Sequence, residues 1–299
     1  MLVFGHRGSS FAAPELTGAA IARAFDIDGV DGVEVDVRLS RDGALVLLHD
    51  RTLRRTGLCD DARLLSTPVE ELTMDELRRV DVGAWKGPEF RGEHVLSLEE
   101  AVQMVPEGCK CLVELKSGDA KIVEALARSS VASSGKILVI GFDLELVAAV
   151  KRRLPRVACL HVQRIHPVRL FAALGLDLYS WYRPLFSTVD VSLLDRVQEL
   201  GLDGIDVPSD GSDETLEYIR EAKRRGLLVA TWPFLTTLTQ SDTEPARQWA
   251  ERAGVDIFVS DLPPKPTRSQ GATATSGAAS LESWKSRSNL HKFLRFLTR

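Results

Sequence analysis

GLDGIDVPSDGSDETLEYIREAKRRGLLVA, residues 201–230, holds one complete unit of the repeat on which the fold is built. Leu202–Val207 is apolar at nearly every position, the pattern of a strand covered on both faces. Asp213–Arg225 reads as a helix, and Gly226 stands between it and the next apolar run, Leu227–Thr231. A glycine directly after a helix suits the left-handed position that ends one. The opening phrase Gly201-Leu202-Asp203 recurs as Gly29-Val30-Asp31, Gly175-Leu176-Asp177 and Gly254-Val255-Asp256, with Gly226-Leu227 as a shorter copy. From Gly175 the steps are 26, 25 and 28 residues, about one βα unit each.

Working outward, further strands are predicted at Leu2–Gly5, Gly32–Val37, Ala44–Leu48, Cys111–Leu115, Ile137–Ile140, Val157–Val162 and Asp256–Ser260. Helical patterns occupy Pro14–Phe25, Leu98–Val105, Asp119–Arg128 and Leu144–Leu154. Alternating βα units predict a parallel α/β fold, and their number favours a closed barrel over a doubly wound open sheet. The strands exceed eight, so Ala44–Leu48 reads as the second arm of a hairpin after Gly32–Val37. Residues 51–96 depart from the repeat, with mixed charge and one helical piece at Met74–Arg79, and read as an insertion between an early strand and its helix. The barrel is expected to span residues 1–264. Beyond Pro263-Pro264-Lys265-Pro266 the pattern stops, and Thr267–Ser280 is a Ser/Thr/Ala/Gly tract unable to build a core.

The chain has 299 residues and a formal charge of −4, which argues against a nucleic-acid partner. That average hides a split: residues 1–264 carry 31 Lys/Arg against 41 Asp/Glu, and residues 265–299 carry seven against one. Leu290, Phe293, Leu294 and Leu297 share a helical face flanked by Lys292, Arg295 and Arg299. This short basic amphipathic helix is expected either to pack on the barrel or to make a peripheral membrane contact. Four scattered cysteines without a CxxC suggest neither a disulfide framework nor a zinc site. No apolar run reaches the ~20 residues of a membrane span. MLVFG runs into His6 with no basic segment, so no signal peptide is read and a cytoplasmic location is expected.

In a βα barrel the reactive groups gather at the C-terminal ends of the strands. The first strand runs into His6-Arg7-Gly8. The second carries Glu34 and Asp36, two apart and so on one face. The hairpin arm ends in His49-Asp50, the next strand in Glu114-Leu115-Lys116, and a late strand in Trp232. Each has a plain structural reading: HRG as a turn, His49-Asp50 as a cap, Glu114 and Lys116 as a self-neutralising pair, Trp232 as rim packing. Yet two carboxylates side by side inside a barrel repel unless a cation intervenes. A hard divalent cation, Mg²⁺ or Ca²⁺, meets that need, with Glu114 as a third oxygen ligand. With Arg7 and Lys116 to neutralise phosphate, and two histidines as base and acid, the set points to phosphoester cleavage. Neither GxGxxG nor GxxxxGK[ST] is present to suggest nucleotide chemistry.

These motifs, in order, resemble the glycerophosphodiester phosphodiesterase family over nearly all of residues 2–263. The matching pieces are HRG (6–8), PE (14–15), VEVDVRLSRDG (33–43), LLHDRTLRRTG (47–57), DVGAWKGPEFRGEHVLSLEEA (81–101), VELK (113–116), TW (231–232) and GVDIFVSDLP (254–263). The resemblance implies a TIM (β/α)₈ barrel with a small insertion at 51–96 and a C-terminal tail. It implies His6 and His49 as acid/base residues, and Glu34, Asp36 and Glu114 as ligands of a divalent cation. Arg7 would contact phosphate with Lys116 beside it, and Trp232 would border the substrate. The implied reaction cleaves small glycerophosphodiesters to glycerol 3-phosphate and an alcohol. Two departures stand out: Leu16-Thr17 follows PE where the family has Asn-Thr, removing a polar contact expected near the mouth, and Pro233-Phe234-Leu235 replaces Thr-Val-Asn after the tryptophan. The second leaves that side of the pocket more apolar, so a lysophospholipase D type activity on acylated substrates is the alternative. A non-catalytic binding barrel is a third, disfavoured because every residue of the constellation is present.

Overall fold

The structure is a computed structural model that describes residues 1–27, 29–116, 118–163, 190–209, 213–233 and 243–261. Its strands are β1 (Leu2–Gly5), β2 (Gly32–Leu39), β3 (Leu45–Leu47), β4 (Lys110–Leu115), β5 (Ile137–Gly141), β6 (Ala158–Val162), β7 (Gly204–Ser209), β8 (Leu228–Pro233) and β9 (Ile257–Ser260). The helices are α1 (Gly18–Phe25), α2 (Ala62–Ser66), α3 (Met74–Leu77), α4 (Leu98–Met104), α5 (Lys121–Arg128), α6 (Leu144–Arg153), α7 (Val191–Glu199), α8 (Asp213–Arg224) and α9 (Thr243–Ala253). Eight strands pair in parallel in the order β1-β9-β8-β7-β6-β5-β4-β2, and β1 pairs with β2 to close the barrel. As the strand count implied, β3 is the odd one out, antiparallel to the end of β2 through Val37↔Leu47.

Alternation along the strands sorts the apolar residues into two layers. Phe4, Leu112, Leu138, Leu160, Ala230, Ile257 and Val259 fill the barrel interior. Val33, Val35, Val37, Val113, Val139, Cys159, Ile205, Val229 and Phe258 face outward and pack with Ile21, Leu126, Val147, Val197 and Ile219 of the helices. Residues between β3 and α4 build a satellite cluster of their own, in which Leu53, Leu64, Leu72 and Leu77 pack on Val46 and Leu48.

The Gly-x-Asp phrase has a two-part physical cause. Gly201, Gly226 and Gly254 lie in the left-handed region, at φ +69°, +79° and +76°, which glycine adopts without steric cost. The aspartates then hold the lower rim together. Asp31 accepts from Val3 N (2.9 Å), Asp203 from Cys159 N (2.7 Å) and Asp256 from Val229 N (2.8 Å), each donor lying at or next to the start of a neighbouring strand. Lys151 and Lys223 pair with Asp203 and Asp256. Asp203→Ala would strand a partly buried backbone N–H and should cost about 1–3 kcal/mol in a denaturant melt. An unchanged midpoint would refute this stapling role.

Helix α1 starts four residues later than the expected Pro14. Thr17 caps it, accepting from Ala20 N at 3.2 Å and donating to Pro14 O at 2.6 Å, which holds Pro14–Leu16 in a turn. Leu16, at φ +61°, is buried in the layer between strands and helices. The family's asparagine tolerates that backbone better, but the leucine does not line the mouth, so the polar contact expected there is not what the exchange removes. Among the described residues no helix is long and apolar enough to cross a membrane. The readings for residues 234–235 and for the tail from 265 lie outside the described residues.

Candidate active site

The turn after β1 brings His6 and Arg7 to the mouth, and it depends on glycine. Gly8 sits at φ +82°, where an added Cβ would lie 2.6 Å from the backbone carbon of Ala20 in α1. Ser9 N donates to Ala20 O across this contact (2.8 Å). Arg7 is itself left-handed at φ +52°, and its N–H donates to Glu34 Oε2 at 3.0 Å. Such strain is tolerated where surrounding contacts over-determine it. Gly8→Ala should lose about 2 kcal/mol of stability, seen as a melting point lower by about 4–8 °C, with His6 displaced and activity reduced.

His6, Arg7, Glu34, His49, Glu114 and Lys116 line one pocket of about 190 Å³, so β1, β2, the β3 arm and β4 do converge. Asp36 is buried beneath it, 1% exposed. Trp232 is the penultimate residue of β8, beside Pro208, but its side chain lies outside the described residues. Oxygen atoms of Glu34, Asp36 and Glu114 lie within 4.8 Å of one another. Arg7 Nε stands 3.0 Å from Asp36 Oδ2, and Lys116 Nζ 3.1 Å from Asp36 Oδ1 and 2.6 Å from Glu114 Oε1. The two cations therefore neutralise the carboxylates as well as facing the pocket.

That neutralisation is incomplete. Glu34 Oε1 is buried without a hydrogen-bond partner, and three carboxylates face two cations, one of which, Arg7, also pairs with Glu15. Burial raises the Glu34 pKa, reinforced by the charge of Asp36. Burial also raises that of Glu114, with Asp36 adding to it against Lys116. At Asp36 burial pushes upward too, but Arg7 and Lys116 outweigh it and the net shift is downward. Three buried carboxylates whose oxygens converge within 4.8 Å, one oxygen of Glu34 without a partner, form a donor set that fits a divalent cation.

Both histidines are oriented through Nδ1. His6 Nδ1 donates to Asp261 Oδ1 (2.6 Å), which also accepts from Ser10 Oγ (2.7 Å). Burial pushes Asp261 up, but His6 prevails and holds it below the usual range, so it accepts and the proton sits on Nδ1. His6 Nε2 is left 3.8 Å from Glu34 Oε2. His49 Nδ1 pairs likewise with Asp50 Oδ1 at 2.7 Å. Burial would raise Asp50, yet hydrogen bonds from Arg55 and His49 bring it to about 2. At His6 burial lowers the pKa, but Asp261 and Glu34 reverse the sign; at His49 burial wins over Asp36 and the shift stays downward.

A chain of ion pairs supports this arrangement. Arg55 donates to Asp50 Oδ2 (2.7 Å) and to both oxygens of Glu15 (2.8 and 2.7 Å), and Glu15 accepts from Arg7 Nη1 at 3.0 Å. Arg38 donates to the His49 carbonyl at 2.7 and 3.1 Å and to that of Lys116 at 3.3 Å. The sequence assigns no site role to Asp261, Glu15, Arg55 or Arg38, and Asp50, which it names beside His49 at the end of the hairpin arm, receives no role of its own there. Asp206 on β7 likewise receives none. It lines the pocket, and burial, then Glu114 and Glu34, raises its carboxyl well above the usual range. Its available signal is weaker than that of Glu34: an acid inside an otherwise apolar run, but without a second acid two residues away.

Residues 6–265 match the glycerophosphoryl diester phosphodiesterase family. Over 215 residues the chain is 30% identical to the glycerophosphodiester phosphodiesterase of Caldanaerobacter subterraneus subsp. tengcongensis, covering 67% of this chain and 82% of that protein. A solved Silicibacter pomeroyi protein bearing the family's name is similar at TM-score 0.66 and 25% identity, over 88% of this chain and 90% of that one. An Oleispira antarctica phosphodiesterase, solved with the product sn-glycerol-3-phosphate, shares the fold at TM-score 0.66 and 24% identity, over 88% and 94%. With a match spanning the barrel from the HRG turn past β9, the chain belongs to the glycerophosphoryl diester phosphodiesterase family.

Proposed function

We propose that this protein hydrolyses small glycerophosphodiesters to glycerol 3-phosphate and an alcohol. The observation that carries the reading is the pairing, in one pocket, of two Nδ1-anchored histidines with the buried trio Glu34, Asp36 and Glu114. The trio would hold a divalent cation, Mg²⁺ or Ca²⁺, which when bound supplies positive charge to the phosphate and to the charge that develops on it. Arg7 and Lys116 add fixed positive charge on the same wall. One histidine Nε2 takes the proton of the attacking oxygen as its bond to phosphorus forms. The other gives a proton to the leaving alkoxide as that P–O bond breaks. The attacker is water, or first the glycerol hydroxyl, with water opening the resulting cyclic phosphate.

A deacylated substrate is favoured by the solved relative from Oleispira antarctica, whose bound product is sn-glycerol-3-phosphate. Incubation of the full chain with glycerophosphocholine and Mg²⁺ or Ca²⁺ should release glycerol 3-phosphate and choline in equal amounts. Release of phosphocholine instead, or turnover of lysophosphatidylcholine alone, would overturn the assignment.

A further inference from the structure

Among the described residues, Asp206 is the pocket-lining polar side chain that the reaction scheme leaves without work. Its strand, β7, stands opposite β2 in the barrel, with three strands between them on either side. The residue is 2% exposed, and its Oδ1 is enclosed with no hydrogen-bond partner. The apolar part of the pocket wall is formed by Ile140, Phe142, Val162 and Val259, of which Val162 on β6 is the register partner of Asp206. Arg7 and Lys116 are both committed to the β2 and β4 side, where they pair with Asp36 and Glu114. Asp206 is not among the carboxylates that close to within 4.8 Å as a metal-binding group.

A buried, unpartnered carboxyl is expensive, and few native groups remain so without a reason. Here the orphan oxygen belongs to a residue that lines the pocket from the strand opposite β2. What it lacks is a hydrogen-bond donor carried by the ligand. A glycerol group esterified at one end to phosphate has two free hydroxyls, the donors such an acceptor requires. We propose that Asp206 is a specificity-determining residue whose carboxyl accepts a hydrogen bond from a free hydroxyl of the glycerol moiety, so that the pocket selects glycerol esters over simple alkyl phosphates. The proposal rests on the phosphodiesterase reading for its substrate class. A site built around such a bond rejects the analogue that lacks the hydroxyl, because its own polar group is then left unpaired.

The test compares binding of sn-glycerol 3-phosphate and propyl phosphate to the full chain in Mg²⁺ by calorimetry. Wild type should prefer glycerol 3-phosphate by about 10- to 100-fold. Asp206→Ala should bind the two alike, by weakening glycerol 3-phosphate alone, and Asp206→Asn, which keeps an acceptor oxygen, should retain part of the preference. Relief of a buried orphan predicts that Asp206→Ala melts no lower than wild type, which separates specificity from misfolding. Equal weakening of both ligands, or a preference that survives in Asp206→Ala, would overturn the proposal. If wild type shows the preference but hydrolyses no glycerophosphodiester, the assigned reaction falls while the hydroxyl contact stands. If it hydrolyses them without the preference, the reverse holds.

Discussion

His6→Ala and His49→Ala are each expected to lower turnover of glycerophosphocholine by about 10²–10⁴-fold in a protein that remains folded. The magnitude follows from the proposed scheme, in which each histidine carries out a separate proton transfer. Each ring is held by a carboxylate on Nδ1, Asp261 for His6 and Asp50 for His49, which presents Nε2 to the pocket. The rings are 27% and 34% exposed, so truncation opens no sealed core cavity and circular dichroism should be unchanged. Asp261→Asn supplies the finer test. It preserves shape but no longer requires the proton on Nδ1, so turnover should fall by at least about tenfold with KM little altered. A His6→Ala variant with near-normal turnover would remove that residue from the reaction scheme, whatever the behaviour of Asp261→Asn.

The second large effect concerns the acidic trio. In excess chelator, activity should fall to background and return on adding Mg²⁺ or Ca²⁺. A readout independent of activity comes from stability, because a cation that binds only the folded state stabilises it by mass action. At a hundred times its dissociation constant the gain is about 2.7 kcal/mol, or about 5–10 °C in the melting temperature of a domain this size. Glu34→Gln should abolish most of that shift. This residue supplies the oxygen with neither cation nor hydrogen-bond donor, so it has most to gain from an ion. A wild-type melting curve indifferent to divalent cations, with activity surviving chelation, would show that Arg7 and Lys116 alone balance the site.

Much of this architecture is legible in the chain because its signals are local. A strand buried on both faces is apolar at successive positions, and a helix that must stop before the next strand takes glycine at its end. Acids two apart in such a strand share a face whatever the fold, so Glu34 with Asp36 could be read as a pair before any contact was known. His6, His49, Glu114 and Lys116 were legible for the same reason, since each sits where an apolar run ends.

The partners of those residues are not local. His6 meets Asp261 across 255 positions, Glu15 meets Arg55 across 40, and Asp31 reaches Val3 across 28. Only barrel closure, which lays β1 against β9 as well as β2, makes the first of these contacts. A lone acid such as Asp206 has no companion two residues away to betray its direction, and its meaning depends on which strand stands opposite. Periodicity and chain-neighbour spacing thus fix which residues face inward at the mouth, whereas sheet closure alone decides which groups meet there, because it sets distances between strands that share no local sequence relation.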